Sequence, residues 1–202
     1  MDLPTLLLWQ RLSKRRTILI HNEFSRTLIA LLSPFIVNPR YFEACLVRTS
    51  SVISGYGAQW FIDRNMASFP TWLDICVPRT NMRMVHFCLM HRMRTTEIAV
   101  SSREEQQILA RGCTSVTRLL TSRGFIINIL CSASESALYP ITHSWTTLLM
   151  NYVTPDNFGC AYPSLTLRNR GILVSRIFSE HEYIALTEYL ARQYELGFHP
   201  LD

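Results

Sequence analysis

The sequence predicts one α/β or α+β domain, and three observations lead to that class. Apolar residues make up 48% of the 202 residues, enough to build a single core. Segments with helical spacing interleave with short β-rich runs along the whole chain. Seven Gly and nine Pro are too few for a collagen-like or low-complexity protein.

Helical patterns dominate the beginning of the chain. Leucine spacing predicts a short helix over 3–12 and a second over 22–33, with Asn22 as its N-cap. Two prolines then interrupt the pattern, and 40–48 is predicted as a further short helix.

Short strands and helices alternate in the next part of the chain. A strand begins at Val52 and ends at the Ser54-Gly55 pair, and one or two helical turns follow Gly57. Residues 73–77 form another β-rich run. Alternation puts its odd-numbered side chains on one face and its even-numbered side chains on the other.

The remaining elements follow from local patterns. We expect a Met-rich helix over 81–92, a strand over 96–100 and a capped helix over 102–112. Two β-rich runs, 115–121 and 125–130, predict a hairpin with Gly124 in the left-handed conformation.

Two further helices are predicted near the end of the chain. One covers 143–151, and the segment after it is expected to form loops and a short strand. The other covers 180–195, capped by Ser179 and closed by Gly197.

The net charge of +5 comes almost entirely from arginine, with nineteen Arg to one Lys. A loose group lies at Arg79, Arg83, Arg92 and Arg94. Solvated helix faces explain such arginines, and attraction to nucleic acid or phosphate is the alternative.

The cysteines and histidines predict no structural metal site. None of the six Cys has CxxC spacing, no HExxH occurs, and most Cys lie within apolar segments as small buried residues. The longest apolar stretch, 27–37, is too short to span a membrane. The first residues reverse the charge order of a secretory signal, so we expect an intracellular protein, cytoplasmic or nuclear, without membrane contact.

Residues 52–77, VISGYGAQWFIDRNMASFPTWLDICV, contain a strand, a glycine turn, a helix and a strand with an acid. This arrangement resembles the nucleotidyltransferase fold, in which a Gly-Ser turn and a helix precede an Asp-x-Asp strand. It is also similar to an uncharacterised fungal family of that ancestry, whose later segment resembles MNYVTPDNFGCAYPSLTLRNRGIL at 150–173. The resemblance covers residues 40–175 and implies a mixed sheet flanked by helices.

The chemistry of that fold explains its motif. Two Asp at i and i+2 share one strand face and hold Mg²⁺ ions together with a third acid from a neighbouring strand. By this resemblance Asp74 is the catalytic and metal-binding carboxylate, and Mg²⁺ is the cofactor if the site is active. Trp72 stands where the first Asp is expected, and Asn128 stands where the third is expected.

The resemblance also implies a nucleotide-binding turn at Ser54, Gly55, Tyr56 and Gly57, where Tyr56 replaces the Ser of the Gly-Ser pair. Trp72 and Asn128 would complete this nucleotide site. The competing interpretations are structural: Asp74 pairs with an arginine such as Arg79, and the Trp72 ring fills the space of the metals. Asp63 and Glu135 are the candidates for a displaced second acid, and Tyr152, Tyr162, Arg168 and Arg170 are candidates for nucleotide or RNA contacts.

Three functional hypotheses follow. The first is a pseudoenzyme that has kept the domain as a nucleotide-binding or interaction module, with no partner protein identified. The second is an active Mg²⁺-dependent nucleotidyltransferase. The third takes MDLPTLLLWQRL, which resembles an F-box opening, as an adaptor for a ubiquitin-ligase scaffold. We expect a single domain over 1–202, with a helical extension over 1–40, the core over 41–175 and a C-terminal helix over 176–202.

Overall fold

The computed structural model describes residues 14–63, 66, 68–109 and 112–173. Its helices are α1 Lys14–Leu32, α2 Pro39–Arg48, α3 Gly55–Ile62, α4 Met82–Phe87, α5 Ser102–Leu109, α6 Tyr139–Thr142 and α7 Pro163–Thr166. Its strands are β1 Val52–Ser54, β2 Trp72–Val77, β3 Thr96–Ile98, β4 Cys113–Leu120, β5 Ile126–Ser132, β6 Asn151–Val153 and β7 Phe158–Cys160. Single 3₁₀ turns lie at Arg79–Asn81 and Thr147–Leu149, and a π-helical turn over Cys88–Arg92 continues α4.

The seven strands form one mixed sheet in the order β3-β4-β5-β2-β1-β6-β7. The central pair, β2 and β5, is parallel, and the other neighbouring strands are antiparallel. The predicted α/β class is therefore confirmed as a mixed sheet flanked by helices. The parallel pair matters for function because it places the middle residues of β2 and β5 side by side.

One face of the sheet carries the main hydrophobic core. Because side chains alternate between the two faces of a strand, Leu73, Ile75 and Val77 of β2 all point into this core, as the sequence predicts. Apolar side chains from α1 to α4 and from the π turn cover this face; among them are Leu28, Phe42, Ala58, Phe61, Val85 and Leu89. Because a fully buried Leu or Phe contributes about 1.5–3 kcal/mol, this layer is the main source of stability.

The opposite face of the sheet carries a smaller apolar cluster beside polar groups. Cys76 of β2 and Leu130 of β5 pack there against Ile141 of α6, and Leu109 of α5 packs alongside. Asp74 shares this face because it is two residues from Cys76. The face that the resemblance assigns to a catalytic site is thus covered by helices over part of its area.

Two sequence predictions are wrong in detail. Asn22 is not an N-cap, because the helix already begins at Lys14 and the segment before Asn22 contains no Gly or Pro to interrupt it. Residues 143–151 do not form a helix. Thr146 instead caps a 3₁₀ turn by accepting a hydrogen bond from the amide of Leu148, and Asn151 already starts β6.

Other predictions agree with the structure or lie outside it. The hairpin forms as β4 and β5, with Gly124 at a φ of +81°. The predicted helices over 3–12 and 180–195, and the F-box-like opening, lie outside the described residues.

No helix in the described ranges has both the length and the apolar character needed to cross a membrane.

Candidate functional site

The sheet register brings the predicted site residues of three strands together. Asp74 on β2 is paired with Ser54 on β1 and, across the parallel pair, with Asn128 on β5. Asp74, Ser54 and Asn128 are all buried. The position expected for a third metal-binding acid therefore lies directly beside Asp74, but an amide occupies it.

A hydrogen-bonded chain links three side chains, which we call the Asp74 cluster: Asp74, Asn128 and Arg118. The Asn128 Nδ2 donates to Asp74 Oδ1 at 2.8 Å, and Arg118 Nε donates to Asn128 Oδ1 at 2.9 Å. Because a guanidinium can only donate, the amide oxygen of Asn128 must face Arg118 and its NH₂ group must face Asp74. The cluster thus combines one negative and one positive charge through a neutral amide.

Arg118 is a member that the sequence did not single out. It lies on β4, directly opposite Asn128 in the antiparallel register. The predicted hairpin is the sequence feature that could have identified Arg118. Once β4 and β5 are aligned around Gly124, residues 118 and 128 become cross-strand neighbours.

The glycine turn after β1 is shaped by Asp74. Gly55 has a φ of +60°, and a Cβ at this position would lie 2.6 Å from Asp74 Oδ2. Only glycine combines the left-handed backbone with this approach of a carboxylate oxygen. Gly57 has a different role, because a Cβ there would lie 3.0 Å from the side chain of Leu73 and would disturb the core.

The space in front of Asp74 is small. A cavity of about 10 Å³ is lined by residues of four strands, of the start of α3 and of the segment around α6: Ser54, Gly55, Asp74, Cys76, Cys113, Leu130, Pro140, Ile141 and Ser144. A volume of about 10–15 Å³ holds one water molecule. A nucleotide does not fit there while Pro140 and Ile141 cover the sheet.

The other predicted site residues point to local structural roles. The Tyr56 hydroxyl lies 2.7 Å from Ser68 Oγ, so its polar end is tied to the loop before β2. Trp72 begins β2 and is half-buried. Arg79, the expected partner of Asp74, instead forms an exposed ion pair with Glu135, at 3.6 Å.

The two candidate displaced acids are not brought into the Asp74 cluster. Glu135 is the exposed partner of Arg79. Asp63 caps the far end of α3, eight residues after Gly55, or about 12 Å along the helix axis. Tyr162, Arg168 and Arg170 are exposed around α7, whereas Tyr152 is half-buried and packs on the smaller apolar cluster.

The residues of the Asp74 cluster do not fit Mg²⁺. A metal with octahedral oxygen coordination needs several oxygen ligands, and here an NH₂ group faces the one carboxylate. Within the described ranges no group of three or more His, Cys, Asp or Glu side chains converges on one point.

A second buried polar group joins α3 to the later segment. We call Gln59, Asn151 and Thr166 the Gln59 cluster; all three are fully buried. Asn151 Nδ2 donates to Gln59 Oε1 at 2.7 Å and to the carbonyl of Leu148 at 2.6 Å. Gln59 Nε2 donates to the carbonyl of Thr166 at 3.3 Å. Asn151 and Thr166 both lie in the segment 150–173, and these contacts give them a structural role.

Two cysteines form a further pair. A hydrogen bond between the thiols of Cys45 on α2 and Cys88 in the π turn lowers the pKa of Cys45 and raises the pKa of Cys88. Burial raises the pKa of Cys88 further. Cys45 is also the more exposed of the two, so it is the thiol of this pair that ionises first.

In comparisons with known proteins, no family model matches the sequence, and no curated protein matches it either.

Proposed function

We propose that this chain is a nucleotidyltransferase-like domain that has lost nucleotide transfer and acts as an interaction module. The run from Val52 to Val77, with its strand, glycine turn, helix and second strand, supports the architecture. The parallel pairing of β2 with β5 supports it further, because it sets residue 128 beside Asp74. The observation that carries the loss of catalysis is the 2.8 Å hydrogen bond from Asn128 to Asp74.

That hydrogen bond gives Asp74 a structural partner in place of a metal ion. In a metal-dependent enzyme the carboxylates would direct oxygen lone pairs at shared cations. Here Asp74 Oδ1 accepts from Asn128, and the positive charge of Arg118 balances the carboxylate through the same amide. The negative charge that would attract a divalent ion is therefore already compensated inside the protein.

The small volume of the cavity supports an interaction role over binding of a nucleotide at this cluster. With space for one water and with Ile141 over the sheet, the triphosphate has no access to the amides of the glycine turn. The domain keeps a stable sheet and presents its outer helices and loops to partners.

A thermal-shift titration tests this function. We expect no metal-dependent change in melting temperature when ATP, GTP, CTP or UTP is added with Mg²⁺ or Mn²⁺. A ligand bound only by the folded state would give about 2.7 kcal/mol of stabilisation at a hundred times its dissociation constant, so binding would be detected.

Two variants make the titration decisive. Asp74→Asn removes the carboxylate, and Asp156→Asn makes the same change at an exposed position as the matched control. A metal-dependent shift that disappears in Asp74→Asn and persists in Asp156→Asn would contradict the proposal and identify an active metal site. A shift that needs no metal and is equal in both variants would come from another part of the surface.

A further inference from the structure

A basic surface with an exposed aromatic ring lies on α4 and the π turn after it. The sequence from Ile75 to Thr96 contains four Arg and two His and no acidic residue. We define the α4 surface by the six exposed side chains of residues 83–94, which are Arg83, Met84, Phe87, His91, Arg92 and Arg94. It does not involve the Asp74 cluster.

The nearby acids Glu97 and Glu135 form ion pairs with residues outside the α4 surface. Glu97 on β3 pairs with His86 at 3.2 Å, and Glu135 pairs with Arg79 at 3.6 Å. In the part of the chain that the structure describes, no acidic side chain pairs with Arg83, Arg92 or Arg94. Three guanidinium groups therefore face solvent with their full charge.

The apolar side chains of the surface are exposed in a way that core packing does not explain. Phe87 is 57% and Met84 48% accessible, while Val85, Cys88 and Leu89 of the same segment are buried and anchor it to the core. The Phe87 ring lies 4.5 Å from the His91 ring, centroid to centroid. The two rings form a small platform beside the arginines.

The backbone of the segment departs from a regular helix at two places. The π turn follows α4 directly, and Arg94 has a φ of +55°, which is uncommon for a residue with a side chain. π turns and left-handed non-glycine residues both concentrate at functional sites. They cost free energy, and a protein keeps such a conformation where it contributes to function.

We propose that the α4 surface binds single-stranded nucleic acid. Unpaired bases stack on exposed aromatic rings, and arginines contact the phosphates around them. An acidic peptide would use the charges but not the rings. A lipid surface would need a wider apolar face than Met84 and Phe87 provide.

Fluorescence anisotropy on the full chain tests the proposal with labelled U20 and dT20 single strands at several salt concentrations. We expect binding at low salt, weaker by at least about fivefold in Phe87→Ala, because stacking on one ring has at least that effect. In the double variant Arg83→Glu and Arg92→Glu, the slope of log affinity against log salt should fall by about 1.4, or 0.7 for each phosphate contact of a single strand. Tighter binding of U20 would identify RNA as the ligand, and tighter binding of dT20 would identify DNA.

Matched controls outside the α4 surface decide the result. Arg26→Glu makes the same charge change at an exposed arginine of α1, and Tyr139→Ala removes an exposed ring that lies 4.5 Å from the His143 ring; both should keep the affinity within about twofold. The proposal is overturned if neither strand binds at low salt, or if the control variants weaken binding as much as the α4 variants. It is equally overturned if a 20-bp duplex, a poly-Glu peptide or anionic phospholipid vesicles bind more tightly than both single strands. Circular dichroism of each variant shows that the fold is intact.

Discussion

The Asp74 cluster, buried except for the half-buried Arg118, and the fully buried Gln59 cluster are both hydrogen-bonded groups, yet they are built from different chemistry. The Asp74 cluster contains an acid and an arginine joined by an amide. The Gln59 cluster is neutral: the side-chain amides of Gln59 and Asn151 bond to each other, and Gln59 donates to the backbone carbonyl of Thr166. In the described chain, Asn151 Oδ1 and Thr166 Oγ1 of the Gln59 cluster are buried without a hydrogen-bond partner, whereas no side-chain atom of the Asp74 cluster is.

The difference follows from the free-energy cost of burial. A buried charge without compensation costs several kcal/mol, so a cluster that contains one persists only with its partners in place. A buried hydroxyl or amide oxygen without a partner costs about 1–3 kcal/mol, which a large core can offset. The Asp74 cluster should therefore be sensitive to any change of charge, and the Gln59 cluster should contain groups whose removal is harmless.

The largest effect is expected for a charge placed in the neutral cluster. In Asn151→Asp, a carboxylate replaces the amide nitrogen that donates to Gln59 Oε1 and to the carbonyl of Leu148. The new charge would face two acceptors, so we expect a loss of about 3–5 kcal/mol in unfolding free energy. Urea denaturation at pH 7 measures it. Asn157→Asp, the same change at an exposed turn, should stay within about 0.5 kcal/mol of the parent.

A smaller loss is expected for the same substitution in the charged cluster. In Asn128→Asp, the new carboxylate keeps the hydrogen bond from Arg118 but faces Asp74. We expect a loss of about 2 kcal/mol at pH 7, because the arginine compensates part of the added charge. A loss equal to that of Asn151→Asp would show that Arg118 does not stabilise an anion at residue 128.

The pH dependence of Asn128→Asp has a definite sign. Repulsion between two adjacent carboxylates raises the pKa of the pair in the folded state above the unfolded value of about 3.9. A raised pKa means that the folded state binds protons more readily, so the loss should diminish as the pH falls through the folded pKa. Denaturation at pH 7 and at pH 5 should therefore show a smaller difference from the parent at pH 5. An unchanged difference would mean that the two carboxylates do not interact.

The two clusters were not equally predictable from the sequence. The resemblance singled out Asp74, and it set residue 128 on a neighbouring strand as the expected place of a third acid. Its partner Arg118 became visible only through strand pairing. Nothing local distinguished Gln59 or Asn151, since their contact joins residues 92 positions apart. Local patterns also predicted most elements, but they failed at 143–151, where the Thr146 hydroxyl caps a turn and Asn151 bonds to the distant Gln59.

The smallest effect, and the only gain, is expected at the unpartnered hydroxyl of the Gln59 cluster. Thr166→Val keeps the shape of the side chain and removes a hydroxyl that is fully buried and makes no hydrogen bond in the described chain. We expect about 1 kcal/mol of added stability in urea denaturation, because the cost of burying the hydroxyl disappears. Thr147→Val is the matched control, since the Thr147 hydroxyl is also buried but accepts a hydrogen bond from the amide of Ile172 at 2.8 Å. This variant should lose about 1 kcal/mol of unfolding free energy.

A gain of stability in Thr166→Val and a loss in Thr147→Val would confirm that neutral groups are tolerated here without partners. A loss in Thr166→Val would instead mean that its hydroxyl is satisfied, for example by a water shared with Asn151, and the contrast between the two clusters would then reduce to charge alone.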